Sequence, residues 1–118
     1  HGGLDMDLFY RVLRAGGKAR YEPSVVVLHE RTTQAGRLSR RHAYGYGTGA
    51  AVAIWVAGGD RFGWRILGSW VRMRTELLAQ ALARGRWASA REETIVLRGT
   101  AEGLGGGFRM VRSGRKSR

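Results

Sequence analysis

Two aspartates, Asp5 and Asp7, flank Met6 in the stretch GGLDMDLFYRVLRAGG, where a helical pattern begins. A carboxylate at the mouth of a cleft, with glycines beside it that let a substrate approach, can act as a general base. The same residues can equally cap a helix, because first-turn acids accept backbone N–H bonds and complement the helix dipole. A second candidate is His29, at the end of the apolar run SVVVLH. Ligands gather at the carboxyl ends of strands in open α/β sheets, and a histidine there can hold a metal or touch a phosphate. A half-exposed histidine at the point where a strand surfaces explains it as well.

A third group is basic and aromatic. Arg37, Arg40, Arg41 and His42 precede Tyr44 and Tyr46, a set that can grip phosphates or stack on a ring. A solvated helix face is the plainer reading. Within it, GYGTGA (Gly45 to Ala50) fits the loose G-x-G-x-x-G/A dinucleotide pattern. A basic helix precedes it, rather than a buried strand, and no acid follows at the expected spacing. Close helix packing is the better use of these glycines.

The elements that must position these residues divide the chain into two halves. Asp5 to about Ala15 reads as a helix, with Leu4, Leu8, Val12 and Ala15 at helical spacing and AGG as its stop. Lys18 to Tyr21 predicts a short strand, Glu22-Pro23 a turn, and Ser24 to His29 a buried strand of β-branched residues. From Gly36 to about Ala57 the pattern is a helix loosened by glycines. Phe62 to about Arg84 carries an apolar stripe of Phe62, Ile66, Trp70, Met73, Leu77 and Ala81. A further helix is expected over Ala88 to Gly103. From Gly105 on, five basic residues and no acid predict a disordered or surface-bound tail.

Charge narrows the partners. Twenty-one Lys and Arg against 9 acids leave a formal +12, which calls for an anionic partner such as nucleic acid, an anionic membrane or a phosphorylated small molecule. The absence of cysteine excludes disulfides and Cys-ligated zinc. The longest uncharged stretch, Ala43 to Gly59, falls short of the roughly 18 apolar residues of a membrane span, though a helix lying on the membrane surface fits. The four tryptophans with flanking arginines suit a core or a membrane interface equally.

Taken in order, GGLDMDLFYRVLRAGGKARYEPSVVVLHE resembles the end of the catalytic domain of family 2 glycosyltransferases with a GT-A fold, and RRHAYGYGTGA extends the likeness more loosely. The resemblance implies an α/β fold: the C-terminal end of a GT-A domain over 1–35, a basic helical extension over 36–104 and the tail over 105–118. It implies an inverting transfer of sugar from a nucleotide-sugar donor to a hydroxyl of a glycan or lipid-linked acceptor, at the cytoplasmic face of the membrane. Asp5 then falls on the general base and Asp7 on a supporting position. His29 falls near a divalent metal (Mg or Mn) and the diphosphate, and Arg41 and Tyr44 on a diphosphate or acceptor contact. Leu4 stands where the commoner motif has Glu. The nucleotide-binding half, with its own D-x-D, is expected before His1, so this stretch alone is expected to be inactive. The competing expectation is a non-enzymatic basic module binding nucleic acid or anionic membrane. No helix-turn-helix, zinc-finger or RNA-binding signature supports nucleic acid.

Overall fold

The computed structural model describes residues 4–26 and 33–116, with 4–6, 34–35 and 115–116 as backbone alone. Four helices make up its regular structure: α1 (Leu4–Arg14), α2 (Gln34–Ala57), α3 (Phe62–Ala83) and α4 (Trp87–Lys116). Thr33 opens α2, its hydroxyl accepting from the Gly36 N–H.

The α/β, GT-A expectation is overturned, because no strand occurs among the described residues. Lys18 to Tyr21 is irregular, a turn falls at Pro23 and Ser24, and Val25 and Val26 are exposed coil. The rest of SVVVLH, including His29, lies outside the described residues. The physical reason is pairing: β-branched residues favour a strand only where a neighbour completes the ladder, and a lone two-stranded ribbon is marginal in water.

The core lies between α2 and α4, which run parallel, with α3 antiparallel beside both. Glycines account for how closely they meet. A Cβ on Gly103 would stand 2.7 Å from the Tyr46 carbonyl carbon and 2.8 Å from its Cα. Gly45 and Gly49 press in the same way on the backbone of Val96 and Thr100, and Gly99 on that of His42. Small residues four apart on facing helices let backbones approach this closely. GYGTGA is thus packing surface, as the sequence argues. Val52 and Val96 fill the seam, and Thr48 and Thr100 are buried there with their hydroxyls donating to the Tyr44 and Val96 carbonyls.

Two sequence expectations change. The glycines of α2 leave it one continuous helix of 24 residues. The expected tail from Gly105 continues α4 as far as Lys116, because Gly107 lies against Ala50 and Ala53 of α2. Packing there offsets the roughly 1 kcal/mol by which each helical glycine disfavours a helix. The stripe on α3 is helical, but only Ala81 of it is buried, while Phe62, Met73 and Leu77 stay substantially exposed.

α2 ends in a turn that has work to do. Gly59 takes φ +92, which glycine tolerates, and the Asp60 N–H donates to the Trp55 carbonyl. This turn delivers the Asp60 carboxylate to the junction of three helices.

Candidate functional site

At that junction a clasp holds α1. The Tyr10 ring stacks on Trp55 with centroids 3.8 Å apart. The Trp55 indole N–H donates to Asp7 Oδ1 at 2.9 Å, and Asp7 Oδ2 pairs with Arg11 at 2.8 Å. Asp60 accepts from the Tyr10 hydroxyl and from the Phe62 N–H, and pairs with Arg14 at 2.9 Å. Donation from Tyr10, then from Phe62, and the nearby Arg14 charge hold the Asp60 carboxyl below its ordinary range. Burial, then the bond to Asp60, push the Tyr10 hydroxyl up. Asp7 is therefore committed to holding α1. Asp5, two residues earlier on the same helix, is described only as backbone.

The basic cluster forms a second site at the other end of α2. Arg37, Arg40, Arg41 and Tyr44 line a cleft of about 650 Å³, and Arg74 of α3 closes it. Beneath lie two buried carboxylates of α4, Glu92 and Glu93. Glu92 pairs with Arg37 and, at 3.3 Å, with Arg41, while Glu93 accepts from Arg74 at 3.2 Å. The Arg74 guanidinium sits over the Trp70 ring, 4.2 Å from its centroid, and Tyr44 lies along the same wall, 6.4 Å from Trp70. The remaining basic neighbour, His42, faces Glu102 at 2.8 Å, outside the cleft lining.

The structure does not bring the sequence candidates into one place. Asp7 meets α2 at Trp55, whereas Arg41 lies fourteen positions earlier on that helix, about 21 Å away at 1.5 Å per residue. Arg41 and Tyr44 do line one cleft, and His29 is outside the described residues. Sequence reasoning missed Arg74, Glu92, Glu93 and Asp60, and took Trp55 only as one of four tryptophans that suit a core or a membrane interface. The regular helical stripe of Phe62 to Ala81 signalled that α3 would pack, but nothing local tied Arg74 to Arg41. Among the described residues no group of three or more His, Asp or Glu could hold a metal ion. His29, the residue that the resemblance places near the divalent metal, lies outside the described residues.

Against known proteins, the chain is 39% identical over 54 residues to the pre-mycofactocin glycosyltransferase of Mycobacterium tuberculosis, in each of two strains. That match covers 46% of this chain and 12% of the relative's length, so the chain spans only a small part of the relatives it matches. It relates this stretch to a glycosyltransferase, without identifying the family. No family model and no solved structure matches the chain.

Proposed function

We propose that this chain is a part of a sugar-transferring enzyme of the family 2 type, in which Asp5 is the general base. The single observation that carries the reading is the 54-residue likeness to a glycosyltransferase. In this proposal Asp5 takes the proton of an acceptor hydroxyl as that oxygen attacks the anomeric carbon of a nucleotide-sugar. The bond from that carbon to the diphosphate breaks, the nucleoside diphosphate leaves, and the configuration inverts. The carboxylate need only be ionised, near and well aimed.

Support for the division of roles comes from the clasp. Asp7 is spent on Trp55 and Arg11, which leaves Asp5 as the other carboxylate at the start of α1. A glycan or lipid-linked acceptor is proposed, as is contact with an anionic membrane at its cytoplasmic face. The formal +12 and the exposed Phe62, Met73 and Leu77 support that contact. No helix among the described residues is long and apolar enough to cross a membrane.

The experiment is release of nucleoside diphosphate by the protein that carries this chain, scanned over a panel of nucleotide-sugars with glycan and lipid-linked acceptors. Acceptor-dependent release from at least one donor is expected. No release above the donor's own hydrolysis across the panel would overturn the reading.

A further inference from the structure

The cleft at the amino-terminal end of α2 is built for an anion, and it stands well away from the start of α1. Arg37, Arg40 and Arg41 come from α2 and Arg74 from α3, so the site exists only once the two helices pack. Four guanidinium groups face two carboxylates, Glu92 and Glu93, leaving two positive charges over. Arg40 has no carboxylate partner among the described residues. Arg37, Arg41 and Arg74 each engage their glutamate through one terminal nitrogen, which leaves further N–H donors on each fork.

Arg74 carries the argument furthest. Its side chain is only 12% exposed, fixed between Glu93 and the Trp70 face. Its Nε–H is buried with no hydrogen-bond partner among the described residues. A buried donor without an acceptor is costly, and the four guanidinium groups gathered over two carboxylates repel one another. A solvated helix face does not explain Arg74, since it would leave that guanidinium in water and need no buried glutamates beneath it. An oxyanion in the cleft offsets the excess charge through the terminal N–H groups of the forks that their glutamates leave free.

We infer that this cleft is a phosphate-ester site, separate from the proposed sugar-transfer centre. Two excess charges match a phosphate dianion or a diphosphate, and arginine forks suit phosphate oxygens in pairs. The Tyr44 ring, 51% exposed on the cleft wall, offers a face to a ring carried by the phosphate. At about 21 Å along α2 from the Asp7 clasp, the cleft is too far from the base to hold the leaving diphosphate of that reaction. The phosphate can come from a soluble nucleotide or from a lipid headgroup, and the inference goes beyond the transferase reading.

The test is calorimetric titration of the full chain with pyrophosphate and with adenosine monophosphate. Flotation on phosphatidic acid vesicles against phosphatidylcholine vesicles, at physiological salt, runs beside it. Saturable binding is expected, weakened roughly tenfold by Arg40→Gln and at least as much by Arg74→Gln, for the loss of one charge-assisted contact. Arg40 is exposed and bears on no packing, so its variant stays informative if the Arg74 variant fails to fold. Arg112→Gln, exposed on α4 far from the cleft, controls for net charge. A soluble source shows as Arg40-sensitive titration that Tyr44→Ala weakens for the nucleotide more than for pyrophosphate. A lipid source shows as flotation on the anionic vesicles that Arg40→Gln abolishes. The inference is overturned if pyrophosphate, adenosine monophosphate and the anionic vesicles all fail to bind, or if Arg40→Gln and Arg112→Gln lower binding equally, since the chain's net charge would then explain it. Binding is read without turnover, so failure of the transferase reading leaves the result standing.

Discussion

Replacing Gly103 by alanine should destabilise the bundle, although alanine is the better helix former. In the middle of α4 the change favours the helix by about 1 kcal/mol. Against that, the new Cβ would meet the Tyr46 carbonyl carbon at 2.7 Å and its Cα at 2.8 Å. Carbon atoms rest at about 3.5–4.0 Å, so α2 and α4 would have to part by roughly 1 Å. The obstacle is backbone, and no rotamer change relieves it. Separation also loosens the buried Val52, Val96, Thr48 and Thr100. Overpacking typically costs about 1–3 kcal/mol, and a backbone-on-backbone clash belongs at the upper end, for a net loss of about 2 kcal/mol. The matched control is Gly68→Ala on α3, where a Cβ meets nothing within 4 Å and helix propensity alone acts. That variant should gain about 0.5–1 kcal/mol. Urea unfolding of both variants, with the slope unchanged, reads the two effects. A Gly103→Ala protein as stable as the parent would refute the account of why α2 and α4 meet on their glycines.

Acid should undock α1. Because the folded pKa of Asp60 is lowered, the stability it contributes is full above its ordinary range and is lost as pH falls through its folded value. The Trp55 fluorescence set by Tyr10 stacking should therefore change only in acid below about pH 4, and Asp60→Asn should remove that step. A transition centred above pH 5 would contradict the assignment. The arginines of the cleft should differ sharply in their structural weight. Arg74→Ala strands the buried Glu93 and should cost about 3 kcal/mol, whereas the solvated Arg37 should cost under about 1 kcal/mol when truncated. Thermal unfolding of the two variants decides, and equal losses would be contrary to this account.

What the sequence disclosed depended on how local each signal was. The start of α1, the stop at its AGG and the helices over 36–57 and 62–84 follow from spacing and glycine stops within a few residues. GYGTGA was legible as packing because a basic helix, rather than a strand, precedes it. The stretch from Gly105 misled for a different reason: five basic residues and no acid read as a disordered or surface-bound tail. Charge alone does not show that the parallel approach of α2 makes Gly107 a contact surface and carries α4 on to Lys116. The apolar run from Ser24 suggested a sheet because β-branched residues favour strands, but that preference needs a partner that the described residues do not supply. Arg41 and Tyr44 were visible as a cluster. Arg74 joins them only through the antiparallel return of α3, and Asp60 reaches α1 only through the turn at Gly59.

The measurement that tests the proposed transfer most directly compares Asp5→Asn with Asp7→Asn in the protein that carries this chain. Sugar transfer is read alongside Trp55 fluorescence. A base at Asp5 predicts a fall of roughly 100-fold or more in turnover for Asp5→Asn with α1 still docked. It predicts a smaller loss for Asp7→Asn, accompanied by a change in the signal from Trp55, whose N–H Asp7 accepts. Undiminished turnover in Asp5→Asn would contradict the assignment of the base and leave Asp5 as an ordinary first-turn residue of α1.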